Sequence, residues 1–126
     1  MIRIKCYYIQ IENFIKRTYI IMIQDLTPKE FKDYLVDDEV TLVDVREQWE
    51  FDICQIKGAI LMPMGEISKN YLNLNKDSKL ALYCHSGIRS MHVADFLLSK
   101  GFQSLSNLQG GIDAWAQEID TTVERY

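Results

Sequence analysis

Apolar runs of strand length alternate along this chain with stretches that have a helix-forming composition. The strand-like runs are VTLVDVR at 40–46, AILMP at 59–63, KLALYC at 79–84 and SLSNLQ at 104–109. This order predicts an α/β structure of three layers, with a mainly parallel central sheet and helices on both of its faces. Ligands of such sheets bind beyond the carboxyl ends of the strands. The side chains that follow the runs are therefore the first candidates for function.

Helix signals fall between the runs. The stretch from Thr27 to Glu30 combines a capping residue, a proline suited to the first helical position and a glutamate that completes a capping box. Further helices are predicted at 46–54, 66–74, 90–101 and 111–119. In the helix at 90–101, the residues expected to face inward are Met91, Ala94, Phe96, Leu97 and Leu98.

The composition is that of a single globular domain. The chain has 126 residues, two prolines and 48% hydrophobic residues, which is enough apolar material for one core. The net charge of −4 disfavours nucleic acid and anionic membranes as partners. Three scattered cysteines and two histidines indicate neither a disulfide scaffold nor a metal site, so we expect no cofactor and a reducing, cytoplasmic compartment.

Residues 1–21 are the least typical part of the chain. They are rich in isoleucine and tyrosine, but charged residues interrupt them, and no apolar stretch approaches the roughly 20 residues that span a bilayer. Met22 opens a more usual domain start. We therefore expect a domain at 22–126 and a dispensable extension at 1–21. The alternative is an extra strand or helix that packs on the domain.

The stretch CHSGIRS at 84–90 carries the clearest chemical signal. Cys84 lies between a predicted strand and a predicted helix, where backbone N–H groups and the helix start stabilise an anion such as a thiolate. Gly87 permits a tight loop, and Arg89 adds a positive charge with a planar set of donors. Ser86 and Ser90 supply hydroxyl groups, and Ser90 is also suited to cap the helix.

The alternative for Cys84 is a structural role, since isolated cysteines are more often small buried side chains than nucleophiles. The strand–loop–helix placement, the glycine and the arginine together favour the nucleophile. Cys54 lacks such surroundings and is predicted to lie in the core, and Cys6 is assigned no role.

Four segments in order resemble the rhodanese-like family, and specifically its single-domain sulfurtransferases. They are LVDVREQWEF at 42–51, IKGAILMP at 56–63, CHSGIRS at 84–90 and LQGGIDAW at 108–115. The likeness runs from about Leu26 to Tyr126. The chain departs from the family at Cys54 and Gln55, where a glycine and a histidine are usual, and we interpret this difference as a structural variant.

The resemblance implies a reaction and a site. The Cys84 thiolate would take a sulfane sulfur from a donor such as thiosulfate, form a persulfide, and pass the sulfur to cyanide or a thiol. The persulfide-binding loop would consist of His85, Ser86, Gly87, Ile88 and Arg89, and Arg89 would orient an anionic donor. Partners would be these small molecules, with a sulfur-relay protein as a further candidate.

Three charged residues of the first matching segment are expected to support this loop from the neighbouring strand end. They are Asp44, Arg46 and Glu50, and the i, i+4 spacing of Arg46 and Glu50 predicts either an ion pair that fixes the turn or a solvated pair that contributes little. Trp115 is expected to lie in the core as part of the last helix. For His85, contact with a substrate and a solvent-facing position remain equal alternatives.

Two other functions remain open from the residues. A cysteine phosphatase or arsenate reductase also places a thiolate and an arginine in an anion-binding loop, but those loops are longer. Here four residues separate Cys84 from Arg89, which favours a site for one sulfur atom over a site for a tetrahedral oxyanion. The second alternative is a persulfide relay or binding module that acts with a partner protein.

Overall fold

The computed structural model describes the backbone of residues 3–11 and 17–126, and side chains from Ile23 onward. Its strands are β1 (Arg3–Ile11), β2 (Arg17–Leu26), β3 (Val40–Asp44), β4 (Ile60–Leu61), β5 (Lys79–Tyr83) and β6 (Ser104–Leu108). They form one sheet in the order β1-β2-β6-β5-β3-β4. β1 and β2 are antiparallel, and all other neighbours are parallel. The prediction of a mainly parallel α/β sheet is confirmed.

Helices cover both faces of this sheet. They are α1 (Pro28–Tyr34), α2 (Gln48–Ile53), α3 (Ile67–Asn70), α4 (Ile88–Ser99) and α5 (Gly111–Glu118). One core cluster joins α3 and α4 to one face, and a second joins α1 and α5 to the other. The alternation of strand side chains is visible in β5, where Leu80 and Leu82 face α4 while Ala81 and Tyr83 face α1 and α5.

The predictions of where helices begin and which residues they bury are confirmed for some helices and wrong for others. The capping box of α1 forms as expected, with the Glu30 N–H on Thr27 Oγ1 and the Thr27 N–H on Glu30 Oε1. The helix predicted at 66–74 is instead broken into α3 and two short 3₁₀ turns, Met64–Glu66 and Tyr71–Asn73. Within α4, Ala94, Leu97 and Leu98 are buried as predicted, whereas Met91 and Phe96 are only half-buried.

The sheet register brings the candidate residues to one edge. Asp44 at the end of β3 pairs with Tyr83 at the end of β5, and the Val45 N–H donates to the Tyr83 carbonyl at 3.1 Å. Arg46 and Cys84 therefore both lie just beyond the carboxyl ends of two neighbouring strands, β3 and β5. Because strand side chains alternate, Cys84 continues the face of Leu82 and points toward α4.

Among the residues that the structure describes, no helix is both long and apolar enough to cross a membrane.

The predicted domain boundary falls inside a strand. β2 passes through Met22, and only Ile23–Leu26 of this strand pair with β6. β1 pairs with β2 along its whole length. Residues 1, 2 and 12–16 of the predicted extension lie outside the described residues, as does the side chain of Cys6.

That residues 22–126 fold without the preceding strand stays a prediction. A chain that begins at Met22 keeps all of the residues of β2 that pair with β6, so we expect a single cooperative thermal transition by circular dichroism. Its midpoint should be lower than that of the full chain, since β2 becomes an edge strand. A broad, non-cooperative transition would show that the sheet needs β1.

Candidate active site

Cys84 lies buried in the turn between β5 and α4, and its side chain meets two hydrogen-bond donors. The Gly87 N–H points at Cys84 Sγ with a nitrogen–sulfur distance of 3.1 Å, and the Ser90 hydroxyl approaches it at 3.3 Å. Cys84 is 1% exposed and Ser90 is fully buried. Two donors, one from the backbone and one from a side chain, thus converge on a single buried sulfur atom.

The prediction that Ser90 caps the helix is wrong, because the residue at the N-cap of α4 is Gly87. α4 begins two residues earlier, at Ile88, after Gly87 takes a left-handed backbone conformation with φ of +98°. Ser90 is therefore inside the first turn of α4, and its hydroxyl faces the thiol instead of the helix start. The change adds a side-chain donor to the site.

The start of α5 holds the Cys84 loop, which we define as residues 84–89. The Ile112 N–H donates to the carbonyl oxygen of Cys84 at 2.9 Å, and the Asp113 N–H donates to that of His85 at 3.1 Å. In a planar trans peptide, the N–H group points away from the carbonyl oxygen of the same unit. The N–H groups of His85 and Ser86 are consequently turned away from α5.

Two glycines make this close approach possible. Gly111 has φ of +62°, and a Cβ atom built on it would lie 2.2 Å from the His85 carbonyl oxygen and 2.6 Å from that of Cys84. A Cβ atom on Gly87 would lie 3.1 Å from the Leu108 carbonyl oxygen. Gly87 and Gly111 thus permit close backbone contact between the loop and the turn before α5.

Arg89 forms a bidentate ion pair with Glu50 from α2. Its two terminal nitrogens, Nη1 and Nη2, lie 2.6 and 2.8 Å from Glu50 Oε1 and Oε2. The Glu50 side chain is 3% exposed and that of Arg89 is 31% exposed, so the arginine reaches solvent while its partner does not. Hydrogen bonds from Arg89 lower the pKa of Glu50 to about 2, although burial acts in the opposite direction.

Arg46 is fully buried and pairs with Asp44, so the expected ion pair between Arg46 and Glu50 is wrong. Arg46 Nη2 lies 2.7 Å from Asp44 Oδ2, and Nη1 donates to the backbone carbonyl oxygen of Glu50 at 3.3 Å. Burial by itself lowers the pKa of Arg46, but the hydrogen bonds to Asp44 outweigh it and the pKa is raised. The physical reason is position: Asp44 precedes Arg46 at the strand end, whereas Glu50 turns toward α4.

Tyr126 belongs to the site although the sequence analysis assigned it no role. Its hydroxyl accepts from Arg46 Nη1 at 2.8 Å and donates to Glu50 Oε2 at 2.6 Å. Its ring stacks on His85, with centroids 4.3 Å apart. Burial, together with the hydrogen bond to Glu50, raises the pKa of Tyr126. No local pattern points to this residue, which lies 76 positions from Glu50.

On the side of the loop that faces the ends of β2 and β6, the surface has an open depression of about 410 Å³. Asn107, at the end of β6, donates from Nδ2 to Asp25 Oδ1 at 3.0 Å and to the Gly87 carbonyl oxygen at 3.3 Å. These contacts connect the loop to the ends of β2 and β6. Ser86, whose side chain is exposed, lies in the wall of the depression.

The remaining candidates divide between surface and core. Ile88 is 66% exposed at the start of α4, and His85 is half-buried beneath Tyr126. Trp115 is buried and meets the Phe31 ring edge to face at 6.2 Å, which confirms its predicted core position. Cys54 is only half-buried and accepts a long contact of 3.8 Å from Arg46 Nη1.

Comparison with protein families and curated proteins gives one consistent result. The family model described as "Rhodanese-like domain" matches residues 27–118. The chain is 31% identical over 105 residues to a tRNA uridine(34) hydroxylase of Staphylococcus saprophyticus, a match over 79% of this chain and 33% of that protein. It is 36% identical over 104 residues to the probable adenylyltransferase/sulfurtransferase MoeZ of Mycobacterium tuberculosis, over 80% of this chain and 26% of that protein. The chain therefore spans about a third or less of the length of these relatives.

Two solved structures are matched over more than nine-tenths of their own chains. A rhodanese-like domain protein from Staphylococcus aureus has a TM-score of 0.68 and 32% identity, over 81% of this chain and 97% of that one. A rhodanese-related protein from Thermoplasma volcanium has a TM-score of 0.68 and 27% identity, over 75% of this chain and 92% of that one.

Substitution of Gly111 tests whether the contact between α5 and the loop is needed. Gly111→Ala places a methyl group against the carbonyl oxygens of His85 and Cys84, so we expect the free energy of unfolding to fall by about 3 kcal/mol or more. Gly58→Ala is the matched control, since Gly58 also has positive φ but nothing within 4 Å of the added atom. Its expected loss is about 1 kcal/mol. Equal losses in urea denaturation would contradict the close contact.

Proposed function

Because this chain belongs to the rhodanese-like domain family, we propose that it transfers sulfane sulfur through a persulfide on Cys84. The observation that carries the proposal is the surroundings of the Cys84 sulfur. Gly87 N–H and the Ser90 hydroxyl both approach Sγ, within a loop whose first carbonyl oxygens are held away by α5. Such a site stabilises a thiolate before reaction and a terminal sulfur anion after it.

In the first half-reaction, the Cys84 thiolate attacks the outer sulfur of a donor such as thiosulfate. A new sulfur–sulfur bond forms to Sγ as the bond between the outer sulfur and the sulfonate sulfur breaks. The bonding electrons leave with sulfite. Cys84 is left as a persulfide anion, and no proton or external oxidant is required.

In the second half-reaction, a nucleophile attacks the terminal sulfur of the persulfide. Cyanide gives thiocyanate, and a thiolate gives a new persulfide on the acceptor. The electrons of the broken bond return to Sγ and regenerate the thiolate. Two half-reactions that share one enzyme form predict ping-pong kinetics.

The other residues of the site have supporting roles in this proposal. The N–H groups of residues 85–89 surround the terminal sulfur, and Arg89 orients an anionic donor at the exposed side of the loop. Glu50 fixes the guanidinium of Arg89 through both of its terminal nitrogens. Asp44 neutralises Arg46, which in turn holds the backbone of α2 at the Glu50 carbonyl.

A relay between proteins is the second candidate. The comparison with MoeZ favours this candidate. In that protein, named as a probable adenylyltransferase/sulfurtransferase, the matching segment is 26% of the length, so a segment like this chain is found there beside other parts of a larger protein. In this form of the proposal the same Cys84 persulfide receives its sulfur from a protein donor such as a desulfurase. The chemistry at Sγ is unchanged, and only the donor and the acceptor differ.

Mass spectrometry of the intact protein tests both forms. After incubation with thiosulfate, we expect an adduct of one sulfur atom that maps to Cys84, because this thiolate is the nucleophile. The adduct should disappear with added cyanide. Cys84→Ser should give none, while the control Cys54→Ser should give as much as the parent chain.

Comparison of two sulfur donors, thiosulfate and a desulfurase, distinguishes the small-molecule form of the proposal from the relay between proteins. Loading by a desulfurase but not by thiosulfate would favour the relay. Loading by neither donor would contradict the proposal, and hydrolysis of an aryl phosphate as fast as thiosulfate turnover would favour a phosphatase instead.

A further inference from the structure

The Tyr126 hydroxyl occupies a fixed place between two charged side chains. A phenol has one proton to donate, and here the proton goes to Glu50 Oε2 at 2.6 Å while the oxygen accepts from Arg46 Nη1 at 2.8 Å. Both partners are almost fully buried. The hydroxyl is therefore oriented from two sides, and it constrains the carboxylate to which it donates.

The ring of Tyr126 lies against the loop itself. It stacks on His85, the residue after Cys84, with an interplanar angle of 19°, and it meets the Trp49 ring edge to face at 5.9 Å. The segment that carries Tyr126 is held by Val123, which packs on the core, and by an ion pair of 2.9 Å between Arg125 and Asp113. One side chain thus contacts both the loop and the partner of Arg89.

We propose that Tyr126 is a positioning residue, which holds Glu50 and through it the guanidinium of Arg89 in the orientation that meets an anionic sulfur donor. The inference rests on the proposed function for its substrate. It goes beyond that function because it assigns a role to a residue outside the four matching segments.

The contacts of Glu50 explain why the hydroxyl matters. Its carboxylate accepts hydrogen bonds from Arg89 of α4, from the Tyr126 hydroxyl, and from the N–H of Glu47, the residue before α2, at 3.2 Å. Oε2 is shared by Tyr126 and Arg89 Nη2. Without the hydroxyl, Oε2 loses one of its two donors, so the carboxylate and the paired guanidinium gain freedom to rotate.

The first experiment compares the alkylation of Cys84 by iodoacetate and by iodoacetamide, which differ in charge but hardly in shape. In the parent chain, Arg89 should favour the anionic reagent. In Tyr126→Phe, which keeps the ring and removes the hydroxyl, we expect the ratio of the two rate constants at Cys84 to fall roughly tenfold. The rate with iodoacetamide should be unchanged. Loading with thiosulfate should slow by the same factor as the ratio.

Three further variants locate the effect. Thr121→Ala, a neutral change at an exposed position of the same terminal segment, should leave the ratio unchanged. Arg89→Ala should lower it at least as far as Tyr126→Phe does. In the Glu50→Gln background, adding Tyr126→Phe should leave the ratio unchanged, because the hydroxyl acts through the Glu50 carboxylate.

A titration of Glu50 tests the hydrogen bond from the Tyr126 hydroxyl without any reaction at Cys84. NMR of the Glu50 carboxylate should show its pKa rise in Tyr126→Phe from about 2 toward the ordinary value of 4.5, since one of the hydrogen bonds that lower it is removed. A merely structural role of the ring would leave this pKa in place.

Two results would overturn the proposal. One is an unchanged iodoacetate-to-iodoacetamide ratio in Tyr126→Phe, and the other is an additive loss in the double variant with Glu50→Gln. A ratio that falls as predicted in a protein that no sulfur donor loads would leave Tyr126 as the positioning residue of an anion site and contradict the sulfurtransferase function instead.

Discussion

The hydrogen bonds from the start of α5 to the Cys84 loop are the contact on which the site depends. They occupy the carbonyl oxygens of Cys84 and His85, and peptide planarity then turns the following N–H groups away from α5. Gly111 permits this contact because any side chain there would collide with the loop. A helix that lies after the last strand in sequence therefore determines which way the Cys84 loop presents its donors.

Charge is arranged around the loop in two connected pairs. The pair of Asp44 and Arg46 is fully buried at the end of β3, and the pair of Glu50 and Arg89 extends toward solvent. The Tyr126 hydroxyl contacts a member of each pair. Buried ion pairs require that every partner be satisfied, and Arg46 meets this requirement with Asp44 and Tyr126, while Arg89 is paired with Glu50 and still reaches solvent.

Local patterns were sufficient to predict the layers of the fold and the position of Cys84. The alternation of strands and helices, the capping box at Thr27 and the glycine of the loop each involve residues close together in sequence. The partner of Glu50 could not be predicted in this way, since Arg89 lies 39 positions away and the i, i+4 spacing favoured Arg46. Tyr126 was missed for the same reason, because its contacts exist only once the chain end has folded back across α2.

A crystal structure of the protein after reaction with thiosulfate is the most direct test of the proposed sulfur site. We expect one additional sulfur atom bonded to Cys84 Sγ and within hydrogen-bond distance of the N–H groups of residues 85–89. The carbonyl oxygens of Cys84 and His85 should still accept from α5. A sulfur atom that points out of the loop, or a loop that must leave α5 to hold it, would contradict the claim that these residues form a site for a single sulfur.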